Sequence, residues 1–113
     1  MLFNTSEAAA TLLVGVDAFR NERKRTSSRP RIMTGVVIVG ANAINECSVD
    51  IYIEDYYAGR FRNSRAGVVA PILPDDVQPT GNRVIPAGSQ VAAIIAVAPT
   101  VSPLQIQILG SEV

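Results

Sequence analysis

The stretch Cys47-Ser48-Val49-Asp50-Ile51-Tyr52-Ile53-Glu54 decides the fold class. Val49, Ile51 and Ile53 fall on one side of an extended chain, and Asp50, Tyr52 and Glu54 on the other. A period of two is the mark of a strand with one buried face. Residues 32–39 (IMTGVVIV) are β-branched and apolar, as a buried strand requires. Residues 90–97 (QVAAIIAV) read as another apolar strand, with small residues where a second sheet can approach. Leu104, Ile106 and Ile108 alternate with Gln105 and Gln107 in a last strand. Between these runs lie punctuating residues: residues 40–45, residues 74–82 (PDDVQPTGN), Pro86-Ala87-Gly88-Ser89 and residues 99–103. Tyr56 to Phe61 reads as a hairpin turning at Ala58-Gly59. Residues 68–73 form a short run broken by Pro71, which suits an edge. The pattern predicts about seven short strands in an antiparallel β-sandwich or jelly-roll-like barrel spanning residues 32–113.

The first 31 residues have a different texture. Asn4 and Glu7 stand at capping-box spacing. Leu12, Val16 and Phe19, joined by Leu13, recur at helical intervals, which predicts an amphipathic helix over residues 4–25. Gly15 weakens that helix by about 1 kcal/mol relative to alanine. Arg23-Lys24-Arg25 suits its C-terminal end, and Thr26 to Pro30 reads as a linker. The apolar run at residues 8–16 is too short to cross a bilayer. Its positive charges follow it, unlike those of a signal peptide, so the mature chain is expected to begin near Met1.

The chain has 113 residues, 48% of them hydrophobic, and no formal net charge. That is one domain's worth of sequence with a workable core. The balance hides an asymmetry: residues 1–33 carry +3 and residues 34–113 carry −3. Arg20, Arg23, Lys24, Arg25, Arg29 and Arg31 make the arm a candidate contact for an anion or an acidic partner. Protein contact or solvent is favoured over nucleic acid or membrane, because the charges are few and no aromatic platform accompanies them.

Histidine is absent, and Cys47 is the single cysteine. No Ser–His or Cys–His nucleophile can be built, no disulfide can form within the chain, and a zinc site would lack its usual ligands. Cys47 reads as a small core hydrophobe. Asp50, Glu54, Asp55 and the Asp75-Asp76 pair read as solvated acids, since their spacing matches no calcium loop. No enzyme activity, cofactor or metal is expected. Tyr52, Tyr56 and Tyr57, near Phe61, have the composition of an interface. An amphipathic stripe of Leu12, Leu13, Val16 and Phe19 needs cover, and docking on a second copy is favoured.

A basic helical arm ahead of a sandwich with the unit Val84-Ile85-Pro86-Ala87-Gly88-Ser89-Gln90-Val91 resembles the small β-sandwich structural proteins of phage and virus particles. The resemblance spans residues 5–109. It implies a capsid, decoration or penton-type subunit that self-associates and contacts other virion proteins, located in the virion and free of cofactors. A carbohydrate- or peptide-binding module using the loop from Pro74 to Asn82 is the alternative.

Overall fold

The computed structural model describes residues 2–7, 13–40, 46–64, 77–98 and 104–112, with side chains only at 2 and 3 in the first of these segments. The described chain is all-β. Its strands are β1 (Phe3–Glu7), β2 (Arg31–Gly40), β3 (Ser48–Ile53), β4 (Tyr56–Arg62), β5 (Gln78–Ile85), β6 (Val91–Val97) and β7 (Leu104–Glu112). They form two antiparallel sheets, with strand orders β1-β7-β2-β5 and β4-β3-β6.

The predicted alternation is what joins the sheets. Val49, Ile51 and Ile53 of β3 enter the core beside Val91, Ala93 and Ile95 of β6. Leu104, Ile106 and Ile108 of β7 and Val36 and Ile38 of β2 meet them from the other layer. Val37 and Val39 point to the opposite face of β2 and are buried as well, which explains why that strand reads as a continuous apolar run instead of an alternating one.

The N-terminal helix expected over residues 4–25 does not form. Residues 3–7 are β1, paired with β7 from Phe3–Ile108 to Glu7–Leu104. Gly15 sits at φ +89°, a left-handed turn conformation that no helix interior contains. The only helical turn among the described residues is the short 3-10 segment Arg23–Arg25. The helical spacing of Val16 and Phe19 has another cause. Phe19 is fully buried, and its ring meets Phe3 edge-on at 4.8 Å, so an edge strand and a loop deliver two aromatics to one core.

Nor does the segment leave its own body. Gly15 N–H donates to the Ile95 carbonyl, Ile95 N–H to the Val16 carbonyl, and Ala18 N–H to the Ala93 carbonyl. Asp17 Oδ1 accepts from Phe19 N–H at 2.9 Å and from Ala93 N–H at 3.1 Å. Its other oxygen pairs with Arg25, whose Nε donates to the Val91 carbonyl. The outer edge of β6 is thereby covered. Arg31 fastens the next stretch, donating to the Lys24 carbonyl at 2.6 Å and the Arg25 carbonyl at 3.0 Å, with its guanidinium over the Phe3 ring. The expected linker is tied down too, since the Ser27 carbonyl accepts from Gly88 N–H.

Two further readings are corrected. Residues 56–62 form one strand, and the β3–β4 turn lies at Glu54-Asp55. The Ala58-Gly59 pair instead marks a register shift, with Ile51 opposite Gly59 and Tyr52 opposite Tyr57. Residues 78–82, read as loop, belong to β5. The runs at residues 68–73 and 99–103 lie outside the described residues.

Two tests probe this framework. Asp17→Ala removes three interactions made by one carboxylate, so unfolding by urea should show a loss of about 2 kcal/mol or more. Asp17→Asn keeps an acceptor for the two amides and should lose less. Gly110 lies opposite Met33 where β2 shifts register, and an added Cβ would sit 1.9 Å from the Ile32 carbonyl oxygen. Because backbone cannot yield as a side chain would, Gly110→Ala should cost about 3 kcal/mol or abolish folding, read from the same unfolding curves.

Candidate functional site

Among the described residues no group of three or more His, Cys, Asp or Glu is placed to hold a metal ion. Cys47 is buried, with its backbone N–H and its thiol both directed at Asn63 Oδ1, at 3.1 and 3.5 Å. Asn63 is itself buried and donates to the Gly40 carbonyl. Burial is the main cause that raises the thiol from its ordinary 9.0 to about 11, which is the opposite of nucleophile activation.

Asp55 is exposed, whereas Asp50 and Glu54 are tied into the framework. Asp50 takes both nitrogens offered by Arg60, at 2.7 and 3.1 Å. That bond, with the charge of Asp50, raises the exposed Arg60 guanidinium above its ordinary value. Glu54, at φ +53°, accepts from Gln90 N–H through Oε1 and donates its own N–H to the Gln90 carbonyl. Two bonds thus hold a non-glycine residue in a left-handed turn. Asp75 and Asp76 lie outside the described residues.

The basic residues divide. Arg25 and Arg31 face inward as described, and Arg20 donates to the Asp17 carbonyl. Burial lowers the Arg31 guanidinium from its ordinary value, and neighbouring Glu112 opposes that shift. Arg23, Lys24 and Arg29 are exposed. The expected contact surface of six cations is therefore reduced on its inward side to structural ties.

The predicted interface residues divide as well. Phe19 and Phe61 are in the core, which removes both from any surface, and Val16 is half-buried. Leu12 lies outside the described residues. Leu13, Tyr56 and Tyr57 are exposed, and Tyr52 is half-buried. Tyr52 and Tyr57 meet edge-on at 5.5 Å on the outer face of the three-stranded sheet. Beside them, a shallow hollow of about 290 Å³ includes Ala92 and Ile94.

Sequence reading missed two features. The first is an apolar patch at one end of β6. Leu13, Val14 and Val97 are 63%, 68% and 48% exposed, and Leu13 and Val14 directly precede the segment that bonds to β6 at Ile95. The second is a cleft of about 420 Å³ where the edges of β4 and β5 meet. Tyr56, Val84 and Pro86 give it apolar walls, while Arg83, Glu54 and Asn82 supply charged and polar groups. Arg83 lies over the Tyr56 ring and donates to its hydroxyl at 3.4 Å. Both features depend on tertiary pairing, so no local pattern announces them.

Comparison with protein-family models, curated proteins and solved structures found no match.

The Cys47 environment gives a pH test. A thiol with a raised folded pKa retains its proton longer in the folded chain. Its contribution to stability is complete below pH 9.0 and is lost as pH rises to about 11. The stability difference between wild type and Cys47→Ala should therefore narrow across that window in urea titrations. A constant difference would contradict the assignment.

Proposed function

We propose that this protein is a structural assembly subunit that self-associates through the outer face and the β6 end of its three-stranded sheet. The observation that carries the reading is the exposed apolar group of Leu13, Val14 and Val97, continued by Ile94 and Ala92 toward Tyr52 and Tyr57. Single exposed hydrophobics are ordinary on a monomer, but neighbouring ones mark contact surfaces. Tyrosines next to a charged pair, Asp50 with Arg60, have the composition of an interface core and rim.

The wiring supports the same reading. We count residues 15–18 as an edge segment beside β6. The eight segments in chain order then pair first with last (β1, β7) and second with seventh (residues 15–18, β6). Third pairs with sixth (β2, β5), and fourth with fifth (β3, β4). That nested order supports a jelly-roll reading, an architecture used for virus shells and for lectins. Fold does not choose between those uses; the apolar patch favours assembly. With the helical arm gone, the resemblance to phage and virus particle proteins rests on the sandwich. A virion location, further copies of this chain and other virion proteins as partners belong to this proposal. Arg23, Lys24 and Arg29 remain available to an acidic neighbour, with nucleic acid or membrane as less favoured contacts.

Mass photometry and sedimentation velocity test it. Wild type should form species larger than the 12.0 kDa monomer. Val14→Asp combined with Val97→Asp alters exposed positions only, so circular dichroism should be unchanged while assembly shifts at least tenfold in concentration. A monomeric wild type, or an unaffected variant, overturns the reading.

A further inference from the structure

We propose that the cleft between β4 and β5 is a saccharide-binding site. It lies on the opposite side of the three-stranded sheet's strand order from the β6 patch, and it is distinct from the loop at Pro74 to Asn82 considered from sequence, sharing only Asn82. Its volume of about 420 Å³ falls within the roughly 300–1,000 Å³ of small-molecule sites.

The lining selects the ligand class. Tyr56 and Val84 are 62% and 60% exposed, and with Pro86 they offer flat apolar surface. A pyranose presents axial C–H groups on one face that pack against such surface, and a ring of hydroxyls around its edge. Each hydroxyl both donates and accepts, so recognition needs donors and acceptors together. The lining supplies Arg83 as a donor, Glu54 as an acceptor, and Asn82 and Ser89 as both. Charges of opposite sign line the same cleft, which disfavours a simple anion or cation and suits a neutral polyol.

The site is also held in shape. Arg83 is fixed by the Thr80 carbonyl through Nε at 3.3 Å and by the Tyr56 hydroxyl. Glu54 is fixed by Gln90 through Oε1, which leaves Oε2 for a ligand. The Gln78 side-chain amide bridges to the Arg62 carbonyl at 2.6 Å, so β4 and β5 are pinned together at the end away from Tyr56. A preformed cleft requires little ordering on binding.

The test is a titration of the ¹⁵N-labelled full chain, followed by amide chemical shifts. The probes are cellobiose, maltose and N,N′-diacetylchitobiose, with 2-naphthoate as a charged aromatic comparator. A dissociation constant of about 1 mM is expected for a small open site. Shifts from at least one disaccharide should cluster at Tyr56, Arg83, Val84 and Glu54. Tyr56→Ala, a change at an exposed position, should weaken binding about tenfold with its spectrum otherwise native. Arg83→Gln should weaken the same disaccharide. The proposal is overturned by the absence of shifts with all three sugars, by shifts that map elsewhere, by an unaffected Tyr56→Ala, or by naphthoate alone entering the cleft. Repeating the titration on the Val14→Asp, Val97→Asp variant separates this outcome from that of the assembly reading, because that variant retains the cleft whether or not it assembles.

Discussion

The carboxylate of Asp17 is the point on which the N-terminal third of this protein turns. A sheet edge exposes backbone donors and acceptors in alternation, and an uncovered edge invites pairing with another chain. Here the β6 edge is met by a segment that cannot pair regularly, because Gly15 turns through a left-handed conformation. Asp17 supplies the acceptor that the irregular backbone does not, taking Ala93 N–H while also closing its own loop onto Phe19 N–H. Arg25 neutralises that carboxylate and covers the Val91 carbonyl with the same guanidinium. A half-buried acid is tolerable on these terms, since its lone pairs meet two amides and a cation. The arrangement also carries Ala18 and Phe19 into the core, so edge coverage and core filling are one event.

The other edges are managed differently. β5 contains Pro79 and Gly81, the latter at φ +69°, both poor partners for an incoming strand. β4 and β5 bridge through side chains instead of backbone, with Gln78 reaching Arg62 and Arg83 reaching Tyr56. The cleft lies at the end of this junction where Arg83 reaches Tyr56. The same physical requirement, that strand edges find partners, thus yields a sealed edge at β6 and an open groove at β4.

The strands were legible where burial imposed a period. Residues 48–53 and 104–108 alternate because one face of each sheet packs on the other, and any reading of hydrophobicity finds them. The arm reads as a helix because the same spacing has two explanations. Residues Leu12, Val16 and Phe19 satisfy a helical stripe, yet Phe19 is buried because a loop folds over the sandwich toward Phe3. The Asn4–Glu7 spacing of a capping box lies within β1. Helix propensity over a short stretch is worth less than pairing with β7 and burial of two aromatics, so tertiary contact overrides it. Gly15 and Asp17 were the residues in that stretch that favoured a turn. The interface residues were half legible: tyrosine content marked the outer sheet face, but Phe61 shares the same strand and faces inward. The cleft was not legible, because Tyr56 and Arg83 are 27 residues apart and meet only once the two sheets are stacked.

Placement also bears on how two surfaces could serve one molecule. In strand order, β6 and β4 flank β3, so the apolar patch and the cleft belong to opposite margins of one sheet. A contact that covers Val97 and Leu13 approaches from the β6 margin, which is already closed to strand addition by residues 15–18. Assembly there must proceed by side-chain packing, with burial rather than backbone pairing as its driving force. It would therefore be reversible by a single buried charge. A contact confined to Leu13, Val14 and Val97 would leave the bonds shaping the cleft at Gln90, Thr80 and Arg83 untouched, whereas Glu54 lines both the cleft and the hollow beside Tyr52.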